Sequence, residues 1–104
     1  MTGTAVLLFT AATPEDVARI GRILVEEDIA ACVNVVPAIR SIYRWEGKVA
    51  DEAEALGIAK LRRDRVEAAI ARIRALHAYA VPEAIALDVV AGNPDYLRWV
   101  AGDS

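Results

Sequence analysis

The chain has 104 residues, of which 56% are apolar and 26% are charged, with 12 basic and 15 acidic side chains. This length predicts one domain over residues 1–104 with a single core. The slight acidic excess argues against a nucleic-acid partner, because a phosphate backbone attracts clustered positive charge. No apolar run approaches the ~20 residues that cross a bilayer, and the first residues carry no secretion signal. We therefore predict a soluble, cytoplasmic protein without membrane insertion.

A short strand and an amphipathic helix are predicted first. Residues 5–10 form a nearly continuous apolar run, which is typical of a strand buried on both faces. Thr13 can cap the helix that follows, and Pro14 suits its first position, where the backbone N–H is not needed. The apolar residues that recur at helical spacing are Val17, Ile20, Ile23 and Leu24. The helix is expected to end near Asp28.

From Cys32 onward the sequence alternates with period two and is rich in valine, isoleucine and aromatic residues, which predicts a strand. Pro37 interrupts the alternation. Because proline cannot donate to a sheet ladder, it indicates an edge, a bulge or a division into two segments. The side chains that then share one face are Ile39, Ser41, Tyr43 and Trp45.

Two positions compete for the turn that ends this strand, one at residues 46–48 and the other at residues 50–52. We prefer the second, with Gly47 marking a bulge, because it makes a long arm that pairs with residues 54–61.

A second helix, a last strand and a short terminal helix complete the predicted elements. Asp64 is placed to open the second helix with a capping box. The apolar stripe of that helix is Val66, Ile70, Ile73 and Leu76. Pro82 prevents further helix, residues 84–90 are predicted to form a strand, and residues 95–101 a short helix.

The order β-α-β-β-α-β plus a short helix is the split β-α-β arrangement called ferredoxin-like, an α+β fold with two helices on one face of a four-stranded antiparallel sheet. The strands are apolar on both faces, so a monomer would leave one face wet. Burying about 800 Å² of apolar surface per protomer is worth roughly 20 kcal/mol at about 25 cal/mol/Å². Association costs ~4–15 kcal/mol, so we predict self-association.

His77 is the only histidine and follows the second helix. A histidine there either satisfies helix carbonyls, which we prefer, or binds a metal ion with other donors. Glu83 is the nearest acid in sequence, and Cys32 could join only if the fold brings it close. As the only cysteine, Cys32 excludes an internal disulfide and is more simply interpreted as a buried, inert thiol.

Lys60 stands among apolar residues of the third strand. It either extends along the sheet to reach water, which we favour, or binds an anion in an interface cleft. Glu52 and Glu54 form a pair of acids of the kind that performs acid–base chemistry. They lie beside the preferred turn, however, and are interpreted as part of a solvated loop.

Aromatic residues are the remaining candidates for binding: Tyr43, Trp45, Tyr79, Tyr96 and Trp99. The motif with which this fold stacks single-stranded RNA on a central strand is absent. Packing between subunits is the better use for such large amphipathic rings.

Four ordered stretches, residues 30–34, 41–48, 77–83 and 92–99, together resemble the divalent-cation tolerance (CutA) family. The resemblance implies ferredoxin-like subunits in a homotrimer, with strands contributed across the interfaces, a link to tolerance of copper and other divalent cations, and no established enzymatic activity. The chain has His77-Ala78-Tyr79 where the family usually has His-Pro-Tyr, and Lys60-Leu61-Arg62 where a Lys-Thr is common.

The combined prediction is a non-enzymatic homotrimer that requires no cofactor and binds Cu²⁺ or another divalent cation through His77, Glu83 and Cys32 near subunit interfaces. The alternative is a trimeric small-molecule sensor similar to the PII-type signalling proteins. Its ligand residues would be Lys60 and the interface aromatics Tyr43, Trp45, Tyr79 and Trp99. A third hypothesis is a stable trimer that acts through protein partners.

Overall fold

The computed structural model describes residues 2–103. Its strands and main helices are β1 (Thr4–Ala11), α1 (Pro14–Glu26), β2 (Cys32–Trp45), β3 (Lys48–Arg62), α2 (Val66–Leu76), β4 (Ala84–Asp88) and α3 (Pro94–Arg98). One 3₁₀ turn, Arg63–Arg65, precedes α2, and a wider helical turn, Trp99–Asp103, follows α3. The strands form an antiparallel sheet in the order β2-β3-β1-β4. The architecture is therefore α+β, as predicted.

The core lies between one face of this sheet and the helices α1 and α2. In β1 the side chains of Leu7 and Phe9 point into it and are fully buried, whereas Val6 and Leu8 on the other face are half-buried. The helical residues that fill the core are Val17, Ile20 and Leu24 of α1 and Ala69 and Ile73 of α2. The alternation along β1 thus separates a helix-covered face from a second face, which is called the open face below.

The start of α1 is as predicted. The Thr13 side chain accepts a hydrogen bond from the Asp16 backbone N–H at 3.1 Å, and Pro14 occupies the first turn. The start of α2 differs from the prediction. The Asp64 carboxylate pairs with Arg62, at 3.0 Å from Nε to Oδ1, and does not cap the helix. Because Arg62 engages this carboxylate, it is not available to the backbone N–H groups of α2, and the 3₁₀ turn leads into the helix without a side-chain cap.

The preferred turn at residues 50–52 is wrong. Trp45 pairs directly with Lys48, so the arm reverses at Glu46 and Gly47, which have φ of 50° and 79°. Two successive left-handed residues match the twist of a hairpin, and glycine adopts that conformation at no cost. Gly47 is therefore a turn residue, and the bulge lies between Val36 and Ile39, where Pro37 predicted an interruption.

The bounds of β4 and α3 differ from those predicted. β4 ends at Asp88 instead of residue 90, and α3 already begins at Pro94, where the Asn93 side chain accepts from the Asp95 N–H at 3.1 Å. Both edges of the described sheet, β2 and β4, have one side without a strand partner.

Gly57 of β3 provides a test of this packing. A Cβ at Gly57 would lie 2.3 Å from Cζ of the buried Phe9 ring. We expect Gly57→Ala to lower the free energy of unfolding by about 1–3 kcal/mol, because a well-packed core resists an added methyl group. Denaturant unfolding measures the change. Gly92→Ala is the control, since its Cβ would meet only the Leu97 side chain at 3.2 Å. Equal stability of Gly57→Ala and the parent chain would contradict the Phe9 placement.

Candidate functional site

An open cleft of about 650 Å³ lies where the β2–β3 hairpin meets the segment between α2 and β4, and it is called the arm cleft here. Its lining residues are Thr10, Ser41, Ile42, Tyr43, Trp45, Glu52, Glu54, Tyr79, Ala80, Val81 and Glu83. Three of them are carboxylates, three are aromatic and none is basic. The cleft is therefore acidic with aromatic walls.

The two β3 carboxylates are held by tyrosine hydroxyls. Glu52 and Glu54 are two residues apart on a strand, so they point to the same face of the sheet. Tyr43 donates from Oη to Glu52 Oε1 at 2.7 Å, and Tyr79 donates from Oη to Glu54 Oε2 at 3.0 Å. The Tyr43–Glu52 pair lies within the hairpin, whereas the Tyr79–Glu54 pair joins the segment after α2 to the hairpin and so connects the two walls of the cleft.

These contacts keep the tyrosines protonated. Burial raises the pKa of Tyr79 to about 12, and the hydrogen bond to Glu54 and the surrounding negative charges act in the same direction. The hydrogen bond to Glu52 is the main reason that the pKa of Tyr43 is raised. The hydroxyls are thus hydrogen-bond donors at neutral pH, and the negative charge of the cleft resides on its carboxylates.

His77 lies behind the cleft and uses both ring nitrogens for backbone contacts. Its Nε2 is 2.6 Å from the Thr10 carbonyl oxygen, and its Nδ1 accepts from the Tyr79 N–H at 3.0 Å. A carbonyl oxygen only accepts and an N–H only donates, so these partners select the neutral imidazole with its proton on Nε2. The ring also packs on Tyr79, with centroids 4.5 Å apart. His77 therefore satisfies a strand carbonyl, not helix carbonyls, and positions Tyr79.

The other predicted residues lie at the far end of the sheet. Cys32 and Lys60 are register partners on the open face. The pKa of Tyr96 in α3 is raised, first by burial and then by the neighbouring Cys32 thiol. Trp99 packs on Tyr96 with a centroid distance of 5.6 Å. At ~3.3 Å per strand residue, Cys32 and Tyr43 are on the order of 30 Å apart along β2.

The predicted residues therefore divide into two groups. Tyr43, Trp45, Tyr79 and Glu83 line the arm cleft, with His77 behind it, whereas Cys32, Lys60 and Trp99 are distant from it. Within residues 2–103 no three His, Cys, Asp or Glu side chains form a group that could hold a metal ion. The structure does not bring His77, Glu83 and Cys32 together in one chain.

Glu52 and Glu54 line the cleft although the sequence pattern does not indicate it. A turn at residues 50–52 would put them in a solvated loop, whereas both lie within β3. The signal that identifies them is the glycine at position 47. With the turn there, Ser41 pairs with Glu52 and Ile39 with Glu54, which puts both carboxylates on the face of Tyr43.

The fold and the cleft together define a small α+β protein in which an acidic cleft with aromatic walls adjoins an uncovered sheet face. Residues 5–103 match the sequence model of the family described as CutA1 divalent ion tolerance protein. The chain belongs to this family, as its four ordered stretches indicated. Two of those stretches, residues 41–48 and 77–83, contribute most of the lining of the arm cleft.

Individual relatives agree with this assignment. The divalent-cation tolerance protein CutA of Thermus thermophilus is 43% identical over 95 residues, which cover 91% of this chain and 92% of that protein. The CutA homolog of Xenopus laevis is 48% identical over 81 residues, covering 78% of this chain and 54% of its own length, so the chain spans about half of that relative. The structure of the periplasmic divalent cation tolerance protein CutA from Archaeoglobus fulgidus matches with a TM-score of 0.91 at 31% identity, covering 94% of this chain and 95% of that one.

No helix in residues 2–103 combines the length and the apolar character that a membrane crossing requires.

The raised pKa of Tyr79 gives a prediction for alkaline solution. Its ordinary value in an unfolded chain is about 10, whereas in the folded chain it is about 12. The stability that protonated Tyr79 contributes is therefore fully present below pH ~10 and is lost as the pH rises toward about 12. Because the pKa of each of the three tyrosines is raised, tyrosinate absorbance should appear late, with Tyr79 the last to ionise, and Tyr79→Phe should remove that last component. Tyr96→Phe is the control. Ionisation of all tyrosines together near their ordinary pKa would contradict the geometry.

His77 gives a second prediction. In metal-free buffer with a chelator, His77→Ala should lower the free energy of unfolding by about 1–3 kcal/mol, because the buried Thr10 carbonyl and the Tyr79 N–H both lose their partner. Thermal unfolding provides the measurement. Arg74→Ala, an exposed change in α2, is the control and should shift stability by no more than ~0.5 kcal/mol. A stable His77→Ala protein would argue against the positioning role.

Proposed function

We propose that the protein is a non-enzymatic, homotrimeric divalent-cation tolerance protein that binds a metal ion or a small ligand in the arm cleft, near the subunit interfaces. The observation that carries the proposal is the lining of the cleft, in which Glu52, Glu54 and Glu83 stand without a basic residue. A cluster of carboxylates in a concave site attracts positive charge. The names of the family and of its relatives describe tolerance of such ions and no reaction.

The open face supports the assembly. Val6 and Leu8 of β1 share it with Ile85 and Leu87 of β4, which are 52% and 55% exposed. Removing such a patch from water favours association, and the unpaired edges of β2 and β4 can pair with further strands. The order β-α-β-β-α-β and the strand order support a ferredoxin-like assignment. The family resemblance suggests three subunits.

Copper fits one chain poorly. Cu²⁺ prefers imidazole nitrogen among protein ligands, but both nitrogens of His77 are engaged with Thr10 and Tyr79. Cys32 lies at the other end of β2, so only Glu83 of the predicted set lines the cleft. A copper site that includes His77 would lose these backbone contacts and would need donors from neighbouring subunits. For an ion that prefers oxygen ligands, Glu52, Glu54 and Glu83 supply carboxylates, but within residues 2–103 they do not group closely enough to hold the ion without further donors.

A second function, a trimeric small-molecule sensor of the PII type, is favoured by the aromatic walls. Tyr43, Trp45 and Tyr79 expose ring surface that a metal ion alone does not need. Lys60, which that hypothesis assigned to an anion, lies at the other end of the sheet, so it could serve only a separate site.

We also propose, from composition, a cytoplasmic location and no nucleic-acid partner. The name of the Archaeoglobus relative gives a different location for that protein.

The assembly is tested by light scattering on a sizing column, in metal-free buffer and again with Cu²⁺ or Zn²⁺. We expect the mass of a trimer in both, because burial of the open face needs no ion. A monomer under both conditions would overturn the proposal. A trimer that forms only with metal would place the ion in the interface.

The ligand role is tested by calorimetric titration with Cu²⁺ and Zn²⁺. Glu83→Gln should weaken cation binding about tenfold, because a charged contact of ~1.5 kcal/mol is lost. Glu26→Gln on α1 removes the same charge at an exposed position outside the cleft and should leave the affinity unchanged. If both variants bind Cu²⁺ and Zn²⁺ with the affinity of the parent chain, the arm cleft is not the metal site.

A further inference from the structure

We propose that the ligand of the arm cleft is an organic cation, a molecule with alkylammonium groups. The inference rests on the binding role proposed above and names the class of ligand. It is drawn from the charge, the ring surfaces and the size of the cleft, which each restrict the occupant differently.

The charge excludes anions and favours an ammonium donor. Glu52 and Glu54 each accept one bond from a tyrosine hydroxyl, yet a carboxylate offers about four lone-pair sites. Most of their acceptor capacity therefore remains for a ligand, and Glu83 adds a third carboxylate to the lining. The basic residues Arg40 and Arg44 of the hairpin alternate onto the opposite face, where Arg40 pairs with Asp51 at 2.8 Å.

Lys48 is the basic side chain of the hairpin that shares the cleft's side of the ladder. It lies at the hairpin tip across from Trp45, outside the lining. Because three carboxylates face a single lysine at the rim, the net charge of the cleft remains negative.

The aromatic walls favour a cation that is organic. Tyr43, Trp45 and Tyr79 are 40%, 54% and 36% exposed, so ring surface remains uncovered beside the carboxylates. A ring face attracts an ammonium group when the two are close, and it packs well on the adjoining methylene groups. Val81 adds exposed apolar surface for such methylenes. A bare metal ion uses neither the rings nor the aliphatic residues.

The size of the cleft also favours an organic cation over a metal ion. A volume of about 650 Å³ is typical of small-molecule sites and greatly exceeds that of a hydrated ion's first shell. The positions of the possible metal ligands also argue against a metal ion, since no three metal-ligating side chains group together in residues 2–103. A flexible chain with several ammonium groups can reach carboxylates that are too dispersed to surround one ion.

Calorimetric titration of the full chain in its native assembly with spermidine, at low ionic strength, tests the proposal. We expect saturable binding that weakens with added salt. Trp45→Leu should reduce the spermidine affinity about 2- to 30-fold, the range of one cation–π contact, while leaving Zn²⁺ affinity unchanged. Glu54→Gln should reduce spermidine affinity about tenfold or more.

Two controls separate the site from general attraction. Glu26→Gln changes the net charge equally but lies outside the cleft, and it should bind spermidine like the parent chain. If Glu54→Gln does not yield a trimer on the sizing column, Glu83→Gln replaces it, since Glu83 lines the same cleft.

The outcomes distinguish this inference from the proposed function. Zn²⁺ or Cu²⁺ binding without spermidine binding would overturn the organic-cation inference and leave the metal role intact. Spermidine binding that neither Trp45→Leu nor Glu54→Gln weakens would place it elsewhere and also overturn the inference. If the trimer binds neither metal nor spermidine, both proposals fail.

Discussion

The strict alternation along β3 is the constraint on which the other features depend. The residues facing the helices are small or apolar, with Ala55, Gly57 and Ala59 allowing the Phe9 ring to lie against the strand. The opposite residues run from two carboxylates at the hairpin end through apolar positions to Lys60. Because side chains alternate with period two, a shift of one residue in pairing would turn Glu52 and Glu54 away from the face of Tyr43 and would move the core residues of β3 onto the open face. The register that builds the core therefore also builds the acidic cleft.

Much of the fold follows from local sequence signals, and the site does not. Thr13 with Pro14 starts α1 and Pro37 marks the bulge, because each acts on its immediate backbone. The hairpin turn requires the left-handed conformation at Glu46. Glutamate rarely adopts that conformation, so the residue type does not predict the turn. That single misplacement removed two carboxylates from the predicted site. The partner of His77 is Thr10, 67 residues away, so only the tertiary structure could reveal that both ring nitrogens are engaged.

The resemblance to the CutA family located the correct segments but not their chemistry. Residues 41–48 and 77–83 do converge, at the arm cleft, although they are distant in the chain. Within them the histidine supports the backbone, whereas the tyrosines and carboxylates present their polar groups to the cleft. Cys32, grouped with His77 from residue type alone, belongs to a separate cluster with Tyr96. Residue type suggested a metal centre, and the geometry favours an aromatic, acidic cavity.

The two walls of the cleft differ in how firmly they are held. Tyr79 is anchored to the core through His77 and the end of β1. Tyr43 and Trp45 stand on the part of the hairpin beyond the bulge, where Ile42 and Val49 are each 65% exposed. A two-stranded ribbon without a packed face is only marginally stable by itself. Its amides should exchange with solvent through local opening while those of β1 and α1 open only on global unfolding. Any ligand that bridges the walls therefore also orders the hairpin, and part of its binding free energy is consumed in lowering the conformational entropy of that arm.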